Sequence, residues 1–421
     1  MGAFDIAIAG CGPAGLAAAL LLHRDHHNVT IFERFDMPKP VGSGLMIQPT
    51  GLAVLDALDL GQEVRRLGAR IDRLFGRAGG SGRTVLDVRY AALGRGANYG
   101  IGIHRASLFG LLFDAARAAG ISIVTGRAVC KTDLANDRRH LVFDDGERSR
   151  PFDLVVDALG TRTPLAPTIG RSLAYGALWA SLDWPDGRGF DEAALEQRYH
   201  RASMMAGVLP IGTPPVSAAR QAAFFWSLKA DRLRDWRAAG LEAWKVDVRR
   251  LWPDCAALLD QIHDPEQLTF ACYSHRTLRH PVEPAMVHIG DAWHSASPQL
   301  GQGANMALLD AWALAAGLRG ANDVQAGIER AIGMRRRHVR LYQALSAMFT
   351  PVYQSDSRFL PIVRDRLVGP LSGIWPATWI QAAMVSGLIG NPLGSLGLAR
   401  PAHPETPRRG HFAPERQRSS R

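Results

Sequence analysis

The sequence predicts an α/β protein, with a Rossmann-like domain, an inserted antiparallel β-sheet and a helical C-terminal region. Three observations support this prediction. A glycine-rich turn joins a strand to a helix near the N-terminus, several strands without intervening helices occupy the middle, and helical patterns dominate the last third. A chain of 421 residues is long enough for two or three domains, or for one large core with insertions.

The glycine-rich turn reads Gly10-Cys11-Gly12-Pro13-Ala14-Gly15. An apolar run of strand type precedes it at 4–9, and a Leu- and Ala-rich helix follows at 16–23. A second strand at 28–32 ends at Glu33. An acid about 20 residues after such a turn is the arrangement that a dinucleotide site requires.

Each residue of this motif has a physical role in the predicted site. Gly10 permits the tight turn, Gly12 lets the backbone approach a pyrophosphate, and Gly15 lets the helix pack close to the strand. The N-terminus of the helix offers free N–H groups and a positive dipole end to the phosphates. The Glu33 carboxylate can accept hydrogen bonds from ribose hydroxyls.

Between this motif and residue 160 the chain alternates between strands, turns and helices. The segment 38–51 is predicted as a loop, which is either an ordinary surface loop or a backbone that runs against a flat ring. Helices are predicted at 52–58 and 104–119. Arg105 opposes the dipole at the start of the second helix, so either a cofactor phosphate or an acid must compensate its charge. The predicted strands lie at 71–74, 84–88, 121–125, 128–132, 140–143 and 153–159, with turns at 79–82 and 144–146.

The middle of the chain has a different pattern. Strands are predicted at 177–183, 202–208 and 222–228, without helices between them, which favours an inserted antiparallel sheet. Aromatic residues such as Trp179 and Phe225 occur in these strands. Such residues form core by default, or line an apolar pocket for a flat substrate. A helical stretch at 232–259 follows.

A second motif begins where a strand ends at Gly290-Asp291. Asp291 is placed to bind a hydroxyl-rich ligand chain, and Gly301 and Gly303 allow the backbone to approach the ligand. Asn305 begins a long Ala- and Leu-rich helix that runs to Leu318. The N-terminus of this helix would point at an electron-rich atom.

The C-terminal part starts with a predicted basic amphipathic helix at 328–348. The segment 370–399 contains no charged residue, but its prolines and glycines argue against a transmembrane helix. Core packing, dimer contact or contact with a membrane surface are the alternatives for this segment. The tail 400–421 is polar and rich in Pro and Arg, and we expect it to be disordered.

Composition limits the class of protein further. The net charge of +10 is modest, and six arginines in the tail account for part of it. No basic–aromatic stripe of nucleic-acid-binding type is present, so we expect no nucleic-acid partner. The four cysteines are scattered, which predicts neither a metal site nor disulfides and favours a cytoplasmic protein.

Together, three features carry a family resemblance: the glycine motif with Glu33-Arg34, Arg105 at a helix start, and Gly290-Asp291-Ala292 with Pro298 to Asn305. The chain resembles the FAD-dependent aromatic hydroxylases of the para-hydroxybenzoate hydroxylase type, and their relatives that hydroxylate polyprenyl phenols in ubiquinone biosynthesis. The resemblance covers roughly residues 1–350.

The resemblance implies roles for particular residues. Glu33 would bind the adenosine ribose, Arg105 would lie near the FAD diphosphate, and Asp291 would bind the ribityl chain or the diphosphate region. The backbone of 301–305 would face the N1–C2 carbonyl side of the flavin, and the loop 42–48 would flank the isoalloxazine ring. The full set of predicted FAD-binding residues is Gly10, Gly12, Pro13, Ala14, Gly15, Glu33, Arg34, Gly44, Arg105, Val129, Asp157, Gly160, Asp291, Gly301, Gly303, Ala304 and Asn305.

One motif departs from the family pattern. The family's middle motif usually reads Asp-Gly and serves both FAD and the nicotinamide donor, whereas this chain has Asp157-Ala158-Leu159-Gly160. Asp157 retains a predicted FAD role. The site for the nicotinamide donor, and the choice between NADPH and NADH, stay open.

The family implies a monooxygenase reaction on an apolar or aromatic small molecule, by hydroxylation or epoxidation. NADPH or NADH reduces FAD, O2 forms a flavin C4a-hydroperoxide, and the substrate attacks its distal oxygen. The flavin supplies this chemistry, and the protein supplies position and electrostatics. Pro298 would shape the oxygen-reacting side of the ring. His294 is either a proton relay or, as we favour, a structural histidine beside the cofactor loop.

Two other functions stay open. One is an FAD-dependent oxidase or reductase that acts on an isoprenoid or lipid-like substrate, and the other is a non-catalytic flavin-binding protein. A flavin halogenase is disfavoured because no Trp-x-Trp-x-Ile-Pro stretch follows the first domain.

The predicted domain boundaries follow from these assignments. The FAD-binding domain comprises 1–170 and 276–320, and the substrate domain comprises 171–275. A helical region at 321–399 and the basic tail at 400–421 complete the chain. We expect a cytoplasmic monomer or homodimer, with peripheral membrane contact as an option.

Overall fold

A computed structural model describes residues 2–38, 42–94, 98–185, 187, 189–215, 217 and 219–401. The tail was predicted to be disordered over 400–421, and 402–421 of it lie outside the described residues. The strands in chain order are β1 (Asp5–Ala9), β2 (Asn28–Phe32), β3 (Gly44–Ile47), β4 (Ala69–Ile71), β5 (Arg73–Ala78), β6 (Thr84–Arg89), β7 (Gly100–His104), β8 (Ser122–Val124), β9 (Val129–Ala135), β10 (Arg138–Phe143), β11 (Leu154–Asp157), β12 (Arg171–Ser172), β13 (Tyr175–Asp183), β14 (Ala194–His200), β15 (Met204–Pro210), β16 (Gln221–Lys229), β17 (Thr269–Ala271), β18 (Ser274–Thr277), β19 (Val282–Glu283), β20 (Met286–His288) and β21 (His294–Ser295).

The α-helices are α1 (Pro13–Arg24), α2 (Pro49–Ala57), α3 (Gly61–Leu67), α4 (Arg105–Ala118), α5 (Leu233–Ala239), α6 (Leu241–Leu251), α7 (Ala256–Leu259), α8 (Gly303–Leu318), α9 (Val324–Tyr353), α10 (Leu360–Val363), α11 (Gly369–Ser372), α12 (Ala377–Val385) and α13 (Pro392–Ser395). No helix among the described residues combines the length and the apolar character that crossing a membrane requires.

The first sheet has the strand order β19-β20-β11-β1-β2-β8 and is parallel apart from β19. Because side chains alternate along a strand, Ile6 and Ile8 of β1 face a core that includes α1, α4 and α8. Ala7 and Ala9 face the opposite side and pack with the β9–β10 hairpin. This three-layer arrangement confirms the predicted Rossmann-like domain and brings the ends of β1, β2 and β11 together.

The second sheet has seven strands in the order β17-β13-β16-β15-β14-β5-β6. One face of β13 packs through Leu178, Ala180 and Leu182 on a core that includes Trp244 of α6. The opposite face points towards the small sheet β3-β7-β4 and the C-terminal segment. The sheet is mixed, because β14 and β5 are parallel while its other neighbours are antiparallel. Strands β5 and β6 come from the segment assigned to the first part of the FAD-binding domain.

Some local predictions were wrong. The segment 38–51 was predicted as a loop, but β3 pairs with β7 and α2 starts at Pro49. β14 was not predicted, because its sequence Ala-Leu-Glu-Gln-Arg-Tyr-His is too polar to indicate a strand. The predicted turn at 144–146 is present after β10, but the turn that joins β9 to β10 at Asn136 and Asp137 was not predicted.

Candidate active site

The glycine motif forms an open cradle at the end of β1. Gly10 has φ +106°, and a Cβ atom there would lie 2.7 Å from the Ala158 carbonyl oxygen. A Cβ at Gly15 would lie 2.1 Å from the Gly10 oxygen, so only glycine allows α1 to pack this closely. A Cβ at Gly12, by contrast, would meet no atom within 4 Å. Gly12 therefore borders free space, at the N-terminus of α1, where an anionic group is favoured.

Glu33 lies beside this cradle. Its carboxylate accepts a hydrogen bond from the Cys11 N–H at 3.0 Å and a second from the Phe35 N–H at 3.2 Å. The structure therefore brings the acid at the end of β2 next to the glycine motif. The neighbouring Arg34 is exposed, and its guanidinium lies over the Phe35 ring at 4.5 Å from the ring centroid.

Asp291 lies in a short 3₁₀-helix, Gly290–Ala292. The residue is exposed, yet protein surrounds it closely enough for desolvation to raise the pKa of its carboxyl group. The charges of His294 and Arg105 oppose this shift. Asp291 therefore lies in a concave, solvent-accessible part of the surface, which we call the crevice, within electrostatic reach of Arg105. The exposed Arg105 begins α4, and its backbone N–H donates to the Ser43 carbonyl at 2.9 Å.

Asn305 links the start of α8 to the segment 44–48, which includes β3. Its side-chain oxygen accepts from the Gln48 N–H at 2.7 Å, and its Nδ2 donates to the carbonyls of Met46 (3.1 Å) and Gly301 (2.9 Å). Asn305 is fully buried and holds the start of α8 against β3. A Cβ at Gly51 would lie 2.2 Å from its Oδ1, which explains the glycine in α2.

The start of α8 also offers unused polar groups. The side-chain Nε2 of Gln48 is buried and has no hydrogen-bond partner among the described residues, and a Cβ at Gly301 would lie 3.5 Å from it. Gly301 has φ +61°, and a Cβ at Gly303 would meet nothing within 4 Å. Ala304 is half-buried beside it, and Pro298 is exposed one turn earlier. An unpaired donor, an open backbone and a helix N-terminus therefore converge here and fit an electron-rich ring edge.

His294 belongs to a buried network of hydrogen bonds. Its Nε2 lies 2.7 Å from Asp310 Oδ2, which also accepts from the Gly290 N–H at 3.0 Å. Arg335 donates to Asp310 Oδ1 at 2.8 Å and contacts His338 Nδ1, and His338 Nε2 donates to the Gly387 carbonyl. Burial would raise the pKa of Asp310, but His294 and Arg335 lower it to about 2. This arrangement favours the structural interpretation of His294.

The Asp157 carboxylate also takes part in hydrogen bonds within the protein. It is fully buried, and its carboxylate accepts from the Leu159 N–H at 3.0 Å and from the Thr163 hydroxyl at 2.7 Å. His288 Nδ1 lies 2.7 Å from the same carboxylate. The geometry favours an indirect role, in which Asp157 fixes the turn that ends at Gly160.

Two further predicted residues lie at packing interfaces. A Cβ at Gly44 would lie 2.5 Å from Ile211 and 2.7 Å from Ala223, so this glycine lets β3 approach the seven-stranded sheet. Val129 is buried in the core behind β1 and β2. Both positions stay predictions as FAD contacts.

Three aromatic side chains, Trp179, Phe225 and Tyr273, form what we call the aromatic wall. The Trp179 Nε1–H donates to the Tyr273 hydroxyl at 2.9 Å, and the Trp179 and Phe225 ring centroids are 4.6 Å apart. Burial raises the pKa of Tyr273 to about 12, against the effects of Trp179 and Arg105. Arg105 therefore lies within electrostatic reach of both Asp291 and Tyr273. The sequence left open whether Trp179 and Phe225 form core or line an apolar pocket for a flat substrate, and no local signal marked Tyr273.

Polar contacts hold this wall against the Rossmann-like domain. Ser43 Oγ lies 2.8 Å from Ser181 Oγ and donates to the Ala180 carbonyl at 3.1 Å. His104 Nε2 lies 3.1 Å from the same Ser181 hydroxyl. Because Ser181 and Trp179 are two residues apart on β13, their side chains share the face of the sheet that looks towards the crevice.

A family model described as an FAD binding domain matches residues 3–330. This chain belongs to that family. It is a member of the FAD-dependent aromatic hydroxylases, and thus an FAD-dependent monooxygenase.

Among curated relatives of this flavoprotein, the FAD-dependent urate hydroxylase of Klebsiella pneumoniae is 26% identical over 79% of this chain and 86% of the relative. The salicylate hydroxylase of Pseudomonas putida is 25% identical over 87% of each chain. The solved structure of Klebsiella pneumoniae HpxO with FAD and uric acid superposes with a TM-score of 0.78 at 19% identity, covering 92% of this chain and 98% of that one. The similarity of folds extends across both sheets.

The residues present fit FAD. The open space at Gly12 suits a diphosphate, Glu33 lies where an adenosine ribose would follow, and Asp291 offers a carboxylate to a ribityl chain. The unpaired Gln48 donor and the start of α8 suit the flavin ring edge. These individual contacts stay predictions, whereas FAD as the cofactor follows from family membership.

Proposed function

We propose that this FAD-dependent enzyme inserts one oxygen atom of O2 into a small aromatic substrate, with NADPH or NADH as the reductant. The observation that carries the proposal is the aromatic wall of Trp179, Phe225 and Tyr273 beside the crevice that contains Asp291 and Arg105. A flat apolar wall next to a flavin site favours a flat ring as substrate. Urate hydroxylase and salicylate hydroxylase, two relatives, are named for substrates of this kind.

Tyr273 has the properties of a substrate-positioning donor. Its oxygen accepts from the Trp179 N–H, so its own hydrogen is free to point elsewhere. With a pKa of about 12, the phenol keeps its proton at neutral pH. We infer that Tyr273 donates a hydrogen bond to a polar substituent of the ring, while Trp179 holds the phenol in orientation.

FAD, once bound and reduced, supplies the electrons that activate O2. The chain's own part is electrostatic and steric. The N-terminus of α8 and the Gln48 amide would stabilise negative charge at the flavin edge, and the wall would exclude water from the ring. Pro298 would shape the side of the ring where oxygen reacts. The altered motif at 157–160 leaves the nicotinamide contacts to be identified by experiment.

The test is a single turnover of enzyme reduced by NADPH or NADH, mixed with ¹⁸O2 and a panel of hydroxylated, amino and carboxylated aromatic rings. We expect ¹⁸O in the product and little H2O2 with a true substrate. Product without ¹⁸O would instead support the oxidase or reductase alternative, and no turnover with any donor would support a flavin-binding protein.

The variant Tyr273→Phe separates positioning from chemistry. We expect KM to rise about tenfold, and H2O2 release to increase, because the variant loses one hydrogen bond worth about 1–1.5 kcal/mol. Tyr175→Phe is the matched control, since Tyr175 lies at the far end of β13 and its hydroxyl bonds Asp356. Equal KM and coupling in Tyr273→Phe and in the parent enzyme would refute the positioning role.

A further inference from the structure

The C-terminal segment carries an unusual concentration of exposed apolar side chains. Of the twelve exposed large hydrophobic side chains among the described residues, six lie between 359 and 380. We call these six the C-terminal apolar patch: Phe359 (70% exposed), Ile362 (50%), Ile374 (60%), Trp375 (79%), Trp379 (48%) and Ile380 (48%). Scattered surface hydrophobics are ordinary, but six in one short segment point to an interaction surface.

The segment that carries the patch packs against the rest of the protein. The inner side of α12 is buried through Ala382 and Val385, which pack in the core beneath β3 and β6. The preceding helices α10 and α11 lie against α9 and β6, respectively. The segment therefore has a buried side that packs on the protein and an exposed side that carries the apolar residues of the patch.

Arginines lie beside the α10 part of the patch. A shallow pocket of about 380 Å³ beside α10 is lined by Ile362 together with Arg83, Arg201, Arg358 and Arg366. None of these four arginines forms an ion pair with a described residue. The one acid in the pocket, Asp365, is already paired with the buried Arg364 at 2.7 Å. The rim therefore keeps an uncompensated positive charge.

We propose that the C-terminal apolar patch docks this enzyme on the surface of an anionic phospholipid membrane. Tryptophan and isoleucine side chains suit the interfacial region of a bilayer, and arginines around them suit acidic headgroups. A second copy of the chain is a poorer occupant, because a symmetric contact would bring two arginine rims together. The tail of residues 402–421 is itself arginine-rich and polar, so it complements neither the patch nor its rim.

The test is co-sedimentation of the full-length, FAD-loaded protein with vesicles of phosphatidylglycerol and phosphatidylcholine in equal parts, and with phosphatidylcholine alone. We expect binding to the mixed vesicles that weakens as salt is added. The double variant Trp375→Ser/Trp379→Ser should lower the partition coefficient about tenfold. Arg358→Glu/Arg366→Glu should lower it by at least about tenfold on the mixed vesicles and much less on phosphatidylcholine.

The matched control is Val246→Ser, which removes a side chain of similar exposure (50%) from α6. It should bind as the parent does. Flavin content and the circular dichroism spectrum of each variant report whether it folds. The proposal is overturned if the parent does not bind mixed vesicles, or if the tryptophan variant binds them equally. It is also overturned if those tryptophans instead support a concentration-dependent dimer.

Discussion

At the scale of single residues, the buried network around Asp310 connects the loop that contains Asp291 to the C-terminal segment. Asp310 fixes the Gly290 N–H and His294, and it accepts from Arg335. Arg335 in turn contacts His338, whose Nε2 donates to the Gly387 carbonyl. A change in this network would therefore affect both the cofactor loop and the covering segment.

His338 gives the network a predictable pH response. Burial, and next the charge of Arg335, lower the pKa of His338 to about 3, whereas the unfolded imidazole titrates near 6.5. The unfolded chain therefore takes up this proton first, and stability falls as pH decreases from about 6.5 towards 3. A single such group changes the free energy of unfolding by about 1.4 kcal/mol per pH unit in this window.

The variant His338→Gln tests this response. Its amide can keep both hydrogen bonds but cannot titrate, so we expect a flatter pH dependence of the urea midpoint between pH 6.5 and 4. His200→Gln, on an exposed strand end, is the control and should leave the slope unchanged. An unaltered slope in His338→Gln would show that other groups dominate.

At the scale of elements, two glycines in the connection from β1 to α1 have different roles. Gly15 is needed for packing, because a Cβ there would lie 2.1 Å from the Gly10 oxygen, whereas Gly12 borders open space at φ −81°. Both positions belong to one short motif, yet the structure assigns them different physical constraints.

Two alanine variants should therefore behave differently. Gly12→Ala should keep the stability of the FAD-free protein within about 1 kcal/mol but lose FAD affinity at least about tenfold, because its methyl group occupies the space for the diphosphate. Gly15→Ala should lower the free energy of unfolding by about 2 kcal/mol or more, since the backbone must shift. Urea unfolding without FAD and flavin titration measure the two effects. Normal FAD affinity in Gly12→Ala would place the diphosphate elsewhere.

At the scale of the whole molecule, the residues predicted to bind FAD come from segments that are up to 295 residues apart, from Gly10 to Asn305. Ligand that binds only the folded chain stabilises it by mass action. FAD at about a hundred times its Kd should raise the free energy of unfolding by about 2.7 kcal/mol, with an unchanged urea slope.

FMN is the natural control for this measurement, because it lacks the adenosine half that Glu33 and the glycine cradle would hold. We expect a clearly smaller shift of the urea midpoint with FMN at the same concentration. Protein that stays colourless and unshifted with FAD would contradict the cofactor assignment.

Much of the fold could be predicted from the sequence, because its motifs are formed by residues that are close together in the chain. The turn at Gly10–Gly15 and the motif before α8 each combine strand, glycines and helix within a few residues, so their geometry is encoded by short-range sterics. The strand β14 was missed, because its polar residues become a strand only through pairing with β5 and β15. The domain boundaries and the individual FAD contacts stay predictions.

The sequence by itself determined the Rossmann-like domain, the FAD family and the position of the cofactor motifs, because these depend on residues close together in the chain. Only the tertiary structure decided which side chains meet across long separations. It joined Trp179 to Tyr273, enclosed Asp157 and His294 in internal hydrogen bonds, and left the C-terminal apolar patch exposed. Burial and hydrogen-bond partners arise from packing between distant segments, which no local pattern specifies.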